Sequence, residues 1–107
     1  MKLQTAPFIA VKEGRKIIES RLCDEKRQLI RLGDQILFRN MSDLEDTVTM
    51  KVEGLLRYST FVSLFSDFPA SYFGGESKAA LEEQIYSFYT KEDEKKYGVL
   101  GIRISIA

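Results

Sequence analysis

With 107 residues, 44% hydrophobic content, seven Phe, five Tyr and 30% charged side chains, the chain has the size and composition of one folded domain, residues 1–107, with a single core. It contains no histidine and one cysteine, Cys23, which excludes Ser-His-Asp and Cys-His catalysis, an internal disulfide and a zinc site of the usual Cys/His type, so no metal and no cofactor are expected. Formal net charge is zero, yet residues 1–40 carry nine Lys/Arg against five Asp/Glu and residues 41–107 carry seven against eleven, which places an expected anion-binding face on the N-terminal half.

No run approaches the roughly 20 apolar residues needed to span a bilayer, and the N-terminus lacks the apolar core of a signal peptide. A cytoplasmic location without a membrane partner is therefore expected.

In chain order, Pro7 followed by Phe8, Ile9 and Val11 and stopped by Gly14 reads as a short helix. Arg15 to Leu22 reads as a strand, Asp24 to Arg27 as a charged loop, and Gly33-Asp34 as a turn whose carboxylate bonds nearby backbone N–H groups. Gln35 to Arg39 alternates Ile36 and Phe38 inward; Thr47 to Glu53 alternates Val48, Met50 and Val52 inward. Gly54 interrupts that alternation and predicts a bulge where the strand bends around a barrel corner.

Helix signals come late. Ser59 or Thr60 caps a turn carrying Phe61, Leu64 and Phe65; Ser77 precedes a longer helix with Leu81, Ile85 and Phe88 at helical spacing; Thr90 with Asp93 opens a Glu-rich helix that stops at Gly98. The last segment puts Leu100, Ile102, Ile104 and Ile106 on one apolar strand face. The order fits an α+β fold, a small mixed or antiparallel β-barrel of about five or six strands flanked by three or four short helices.

Lys16, Glu19 and Arg21 stand among Ile17, Ile18 and Leu22, residues that want burial, and charges held beside a core are usually paired or functional. Period-two alternation puts Glu19 and Arg21 on one strand face and turns Lys16 to the other, although a twist or bulge at the strand entrance would bring its ammonium to the same cleft. One reading is a partly buried ion pair of purely structural value. The other is a ligand site. Arg21 offers a planar fork for phosphate or a base edge, Lys16 a mobile point charge, and Glu19 an acceptor for an exocyclic amine.

The pattern Gly14-Arg15-Lys16-x-x-Glu19-x-Arg21, followed by Asp24-Glu25-Lys26-Arg27 and Ile30-x-x-Gly33-Asp34, resembles the ASCH family of the PUA-like superfamily. A second block, Tyr89-x-x-Glu92-x-Glu94-x-x-Tyr97-Gly98-Val99-x-Gly101-Ile102, is similar to the helix and last strand of the compact, single-domain bacterial members. The resemblance runs from about Pro7 to Ile106. It implies a PUA-like barrel whose groove contacts RNA or a nucleotide-like ligand through Lys16, Glu19 and Arg21, with Arg15 and Lys12 as outer phosphate contacts. Tyr72, Phe73 and Tyr97 would supply stacking surfaces for single-stranded or splayed bases.

Some members of that family are small amidohydrolases that deacylate a modified cytidine nucleoside with a lysine, a threonine three residues later and a remote glutamate. Lys16 matches the lysine and Glu76 lies near the remote glutamate, but Glu19 stands where the threonine nucleophile would be, and a carboxylate cannot do the work of an alkoxide. A Lys16, Glu19 and Glu76 acid-base set on a small polar substrate is the enzymatic alternative. A third class is a protein partner or weak homodimer docked at an apolar patch of Phe68, Tyr72 and Phe73 around a Gly74-Gly75 hinge.

Overall fold

The structure, a computed structural model, describes residues 1–107. Its elements are β1 (Lys2–Leu3), α1 (Thr5–Lys12), β2 (Ile18–Leu22), β3 (Gln35–Asn40), β4 (Asp43–Tyr58), α2 (Phe61–Asp67), α3 (Lys78–Phe88), α4 (Lys91–Tyr97) and β5 (Val99–Ile106), with short 3-10 turns at Arg27–Leu29 and Ala70–Phe73. The five strands form one sheet in the order β1-β3-β4-β5-β2, in which β1 pairs with β3 in parallel and the other pairs are antiparallel. The sheet curls into a half-barrel, a mixed α+β architecture of the PUA-like kind, with β1 and β2 as its two free edges. Arg21 Nη2 reaches across from β2 to the carbonyl of Lys2 in β1 at 3.4 Å, so these edges face one another over a gap.

β4 is the spine of the half-barrel. Its 16 residues pair with β3 along the first part and β5 along the second. The register shifts between Val52 and Gly54, where the alternation predicted a bulge. Before the shift Met50 and Val52 face the inner core; after it Leu55 does, and Leu56 and Tyr58 turn to the opposite face. One extra residue thus lets a single strand serve two cores.

The first core lies inside the half-barrel, where Phe8 and Val11 of α1 meet Phe38, Met50, Val52, Leu100, Ile102 and Ile104. The second lies on the outer face, where α2, α3 and the Ala70–Phe73 turn pack Phe61, Leu64, Phe65, Phe73 and Leu81 against Ile18, Leu22 and Val99. Full burial of each such side chain contributes about 1.5–3 kcal/mol of transfer free energy. Thr60, Ser77 and Thr90 cap α2, α3 and α4, their hydroxyls accepting from the N–H groups of Ser63, Ala80 and Asp93.

Local differences from the sequence reading have local causes. β2 starts at Ile18 rather than Arg15 because the backbone N–H groups of Arg15 and Lys16 both bond the Ala10 carbonyl, closing the end of α1 instead of entering the sheet. Asp34 behaves as predicted, its carboxylate accepting from the Arg31 N–H at 2.8 Å. Ile106 is 66% exposed because it sits at the end of β5, beyond the apolar cover over Ile102 and Ile104. The two-residue β1 carries no periodic signal; its place comes from pairing Lys2 and Leu3 with Arg39 and Asn40. No helix is long and apolar enough to cross a membrane.

Candidate functional site

The tight α1–β2 connection sets up a buried charge cluster. Ile17 donates its N–H to the Tyr72 carbonyl, so residues 15–17 follow neither helix nor strand, and the period-two rule does not extend back from β2 to Lys16. The Lys16 ammonium consequently lies on the same side as Glu19, 2.9 Å from Oε1, and not on the opposite face. Gly74 secures this placement. At φ +76° it ends the Ala70–Phe73 turn directly over the lysine stem, where an added Cβ would stand 3.2 Å from Lys16 Cβ.

Glu19 is 3% exposed and accepts from three donors: Lys16 Nζ and the Ser20 N–H on Oε1, and Arg21 Nη2 on Oε2 at 3.3 Å. Burial works to raise its pKa, but the charges of Lys16 and Arg21 and the hydrogen bonds to Oε1 outweigh it and hold the carboxyl below its ordinary value. Arg21 shows the mirror image. Burial opposes its charge, while Glu19 first and Tyr89 second push its pKa up. Lys16, Glu19 and Arg21 together make two cations and one anion behind 11%, 5% and 18% exposed side chains, a buried site with one positive charge in surplus.

That surplus opens into a cleft of about 340 Å³ wrapped around the free edge of β2. On the inner side of the strand Glu19 and Arg21 stand opposite Ile102 and Leu100; Ser20, opposite Gly101, looks the other way yet lines the same cleft because the cleft straddles the edge. The apolar wall comes from Phe65 and Phe73 of the outer core, from Leu81, Ile85 and Phe88 along α3 and from Tyr89 just after it; Lys2, Leu3, Gln4 and Pro7 close the opposite rim. Gly75 permits this wall, since a Cβ there would come within 2.5 Å of a Leu81 methyl. Along α3, exposure rises from 6% at Leu81 to 61% at Phe88, leaving Phe88 as an exposed ring at the mouth.

The structure therefore brings Lys16, Glu19 and Arg21 together and leaves the other candidates outside. Arg15 pairs with Glu13 at 2.6 Å and Lys12 with Asp46 at 3.1 Å, both on the exposed surface and neither lining the cleft. Glu76 is exposed in the turn before α3 and does not join Lys16 and Glu19. Of the three aromatics suggested by the sequence only Phe73 lines the cleft; Tyr72 leans on Phe68, and Tyr97 packs against the outer core. Phe73 is itself 4% exposed, and Phe68 packs edge-on against it, so at the Gly74-Gly75 turn the aromatics largely cover one another.

Sequence reasoning missed Lys2, Gln4, Ser20, Phe65, Gln84, Phe88 and Tyr89 of the lining. Ser20 lies inside the first motif and Tyr89 opens the second, so both were within reach; Lys2 and Gln4 arrive only through the β1–β3 pairing. Cys23 lies in the inner core, with the Arg57 guanidinium donating to its sulfur at 3.0 Å. No group of three or more His, Cys, Asp or Glu side chains is placed to hold a metal ion.

Comparison with proteins of known sequence and structure supplies the lineage. No match was found among functionally curated proteins. The crystal structure of hypothetical protein PH0355 superposes with a TM-score of 0.87 at 35% identity, covering 100% of this chain and 96% of its own. The solution structure of protein PF0455 from Pyrococcus furiosus gives a TM-score of 0.75 at 30% identity over 99% of this chain and 94% of its own. The ASCH protein from Zymomonas mobilis, at 12% identity and a TM-score of 0.61, covers 98% of this chain and 64% of its own and shares the fold. The model of the ASCH domain matches residues 1–106, and the chain belongs to the ASCH domain family.

Proposed function

We propose that the cleft binds RNA, seating one base or nucleoside of a single strand between the Lys16–Glu19–Arg21 cluster and the aromatic wall. The observation that carries this reading is the surplus cation of that buried cluster, which opens onto a cavity with Phe65, Phe73 and Phe88 on its other side. A ligand that completes the site brings acceptor atoms to the lysine and arginine at one end and a flat apolar face to the rings at the other. A nucleobase with its carbonyl oxygens and attached phosphate does both.

The roles of the three residues follow from their hydrogen bonds. Glu19 already accepts from Lys16, Ser20 and Arg21, so it positions the two cations and has little capacity left for a base amine. Arg21 spends Nη2 on Glu19 and the Lys2 carbonyl, and the rest of its fork meets the ligand. The cavity volume of about 340 Å³ matches the lower end of small-molecule sites, the size of one nucleoside rather than of a duplex groove.

The test compares affinity with stability. Lys16→Ala and Arg21→Ala proteins are expected to stay folded and to bind short single-stranded RNA roughly tenfold or more weakly, because each loses a charge-assisted hydrogen bond to the ligand. Variants that melt earlier yet bind as tightly as the parent would reduce the cluster to a structural ion pair.

A further inference from the structure

The gap between β1 and β2 has a second compartment. Arg21, in reaching the Lys2 carbonyl, stands between the cleft and a groove of about 720 Å³ on its far side, and Lys2 and Arg21 line both. Lys2, Arg21, Lys26, Arg27 and Arg39 line the groove over a floor of Ile30 and Ile36, and no Asp or Glu does. Two carboxylates outside the lining offset part of this charge: Glu19 pairs with Arg21, and Asp24 with Arg27 at 3.0 Å. Arg39 donates to the Leu44 carbonyl, the Arg27 Nε is buried with no partner, and Lys2 and Lys26 are exposed and enter no ion pair.

These five cations come from β1, β2, β3 and the loop after β2, and the fold collects them on one side of the gap. The predicted outer phosphate contacts, Arg15 and Lys12, are instead matched by Glu13 and Asp46 at the surface. A single unmatched cation is ordinary surface chemistry, whereas a concave surface that gathers three cations without ion-pair partners, Lys2, Lys26 and Arg39, beside the paired Arg21 and Arg27 focuses a positive potential.

We infer that this groove carries successive phosphates of a single-stranded RNA whose base occupies the cleft, with Lys2 and Arg21 gripping the phosphate at the junction. The inference rests on the reading of the cleft as a base site, and continuity decides the occupant. A ligand that crosses the Arg21 bridge must be flat and rich in acceptors on one side and repeatedly anionic on the other. Single-stranded RNA has that chemistry along its length.

The experiment uses the whole chain, a six-nucleotide single-stranded RNA, the constituent nucleosides and poly-glutamate, with affinities measured across a salt series. The probe variant is Lys26→Ala/Arg39→Ala; Lys26→Ala alone, on an exposed loop, guards against a folding artefact. For RNA, the double variant is expected to bind roughly tenfold more weakly, with a log-log salt slope shallower by about 1.4, which is roughly 0.7 for each lost phosphate contact on a single strand. Nucleoside binding should be unchanged, and Lys26→Ala should produce about half the change in slope. RNA that perturbs the cleft yet keeps its full salt slope in both variants would overturn the groove. Poly-glutamate bound as tightly as RNA, with the same loss of slope, would overturn the choice of RNA. The cleft reading fails separately: nucleosides and RNA would leave Lys16 and Phe73 unperturbed while the RNA salt slope still fell in the variants.

Discussion

Glu19 and Glu94 are both buried carboxylates, 3% and 6% exposed, and they are satisfied in opposite ways. Glu94, on α4, accepts from the backbone N–H of Phe61 at 2.9 Å and from the Tyr86 hydroxyl at 2.6 Å, so it ties the start of α2 to α3 with neutral donors and lines neither cavity. Burial of Tyr86, together with its bond to Glu94, pushes the phenol pKa well above its ordinary value and keeps that donor protonated. Glu19 is held by two cations and a backbone N–H, at the wall of a cleft, with positive charge to spare. A buried carboxylate that is purely structural takes the donors it needs and stops there. In the function proposed above, the surplus charge of the Glu19 cluster is what an acceptor-rich ligand completes, and Glu94 has no such surplus.

Deleting the two carboxylates in turn separates their roles. Glu19→Ala leaves Lys16 and Arg21 buried without a partner and should cost about 3–5 kcal/mol in denaturant unfolding, with RNA binding lost as the cations disperse. Glu94→Ala strands the Phe61 N–H and the Tyr86 hydroxyl and should cost about 2–4 kcal/mol, with RNA affinity of the folded protein unchanged. Equal effects on binding would erase the distinction between the two sites.

Gly74→Ala probes the support beneath Lys16. An alanine at φ +76° should cost about 1–2 kcal/mol from backbone strain alone. Gly33→Ala, at φ +84° with nothing within 4 Å of the new Cβ, provides the reference for strain without contact. Gly74→Ala is expected to exceed it and to weaken RNA binding, whereas Gly33→Ala should leave binding intact. Identical unfolding and binding losses in the two variants would show that the Gly74 contact does not set the lysine.

The smallest effect concerns pH. Because the folded pKa of Glu19 lies below its ordinary value of 4.5, its contribution to stability is complete above that pH and is lost as pH falls through the depressed folded value. Unfolding free energies of the parent and Glu19→Gln should therefore differ most at neutral pH and converge in strong acid. A gap that widens on acidification would give the linkage the wrong sign.

Much of this architecture was legible in the chain because its signals are local. The Gly54 interruption marked the bend of β4, hydroxyl residues marked three helix starts, and Lys16, Glu19 and Arg21 drew notice as charges among Ile17, Ile18 and Leu22. What escaped is non-local. Lys16 was expected in the cleft through a twist or bulge at the strand entrance, but the device that puts it there, two hydrogen bonds to the Ala10 carbonyl, is one that no periodicity encodes. Phe88 follows Leu81 and Ile85 at core spacing, yet it is exposed because α3 reaches the cleft mouth before it ends. The basic groove gathers Lys2, Arg21, Lys26, Arg27 and Arg39 from four segments, and none of these segments is unusual alone.

Chemical-shift mapping of the backbone amides during titration with a short single-stranded RNA shows whether the strand occupies the cleft beside Glu19. Salt-sensitive shifts are expected at Lys16 to Arg21, Phe73-Gly74 and Phe88-Tyr89, while Phe61, Tyr86 and Glu94 stay still. Shifts confined to the Glu94 side of the molecule, or none at saturating RNA, would contradict that occupancy.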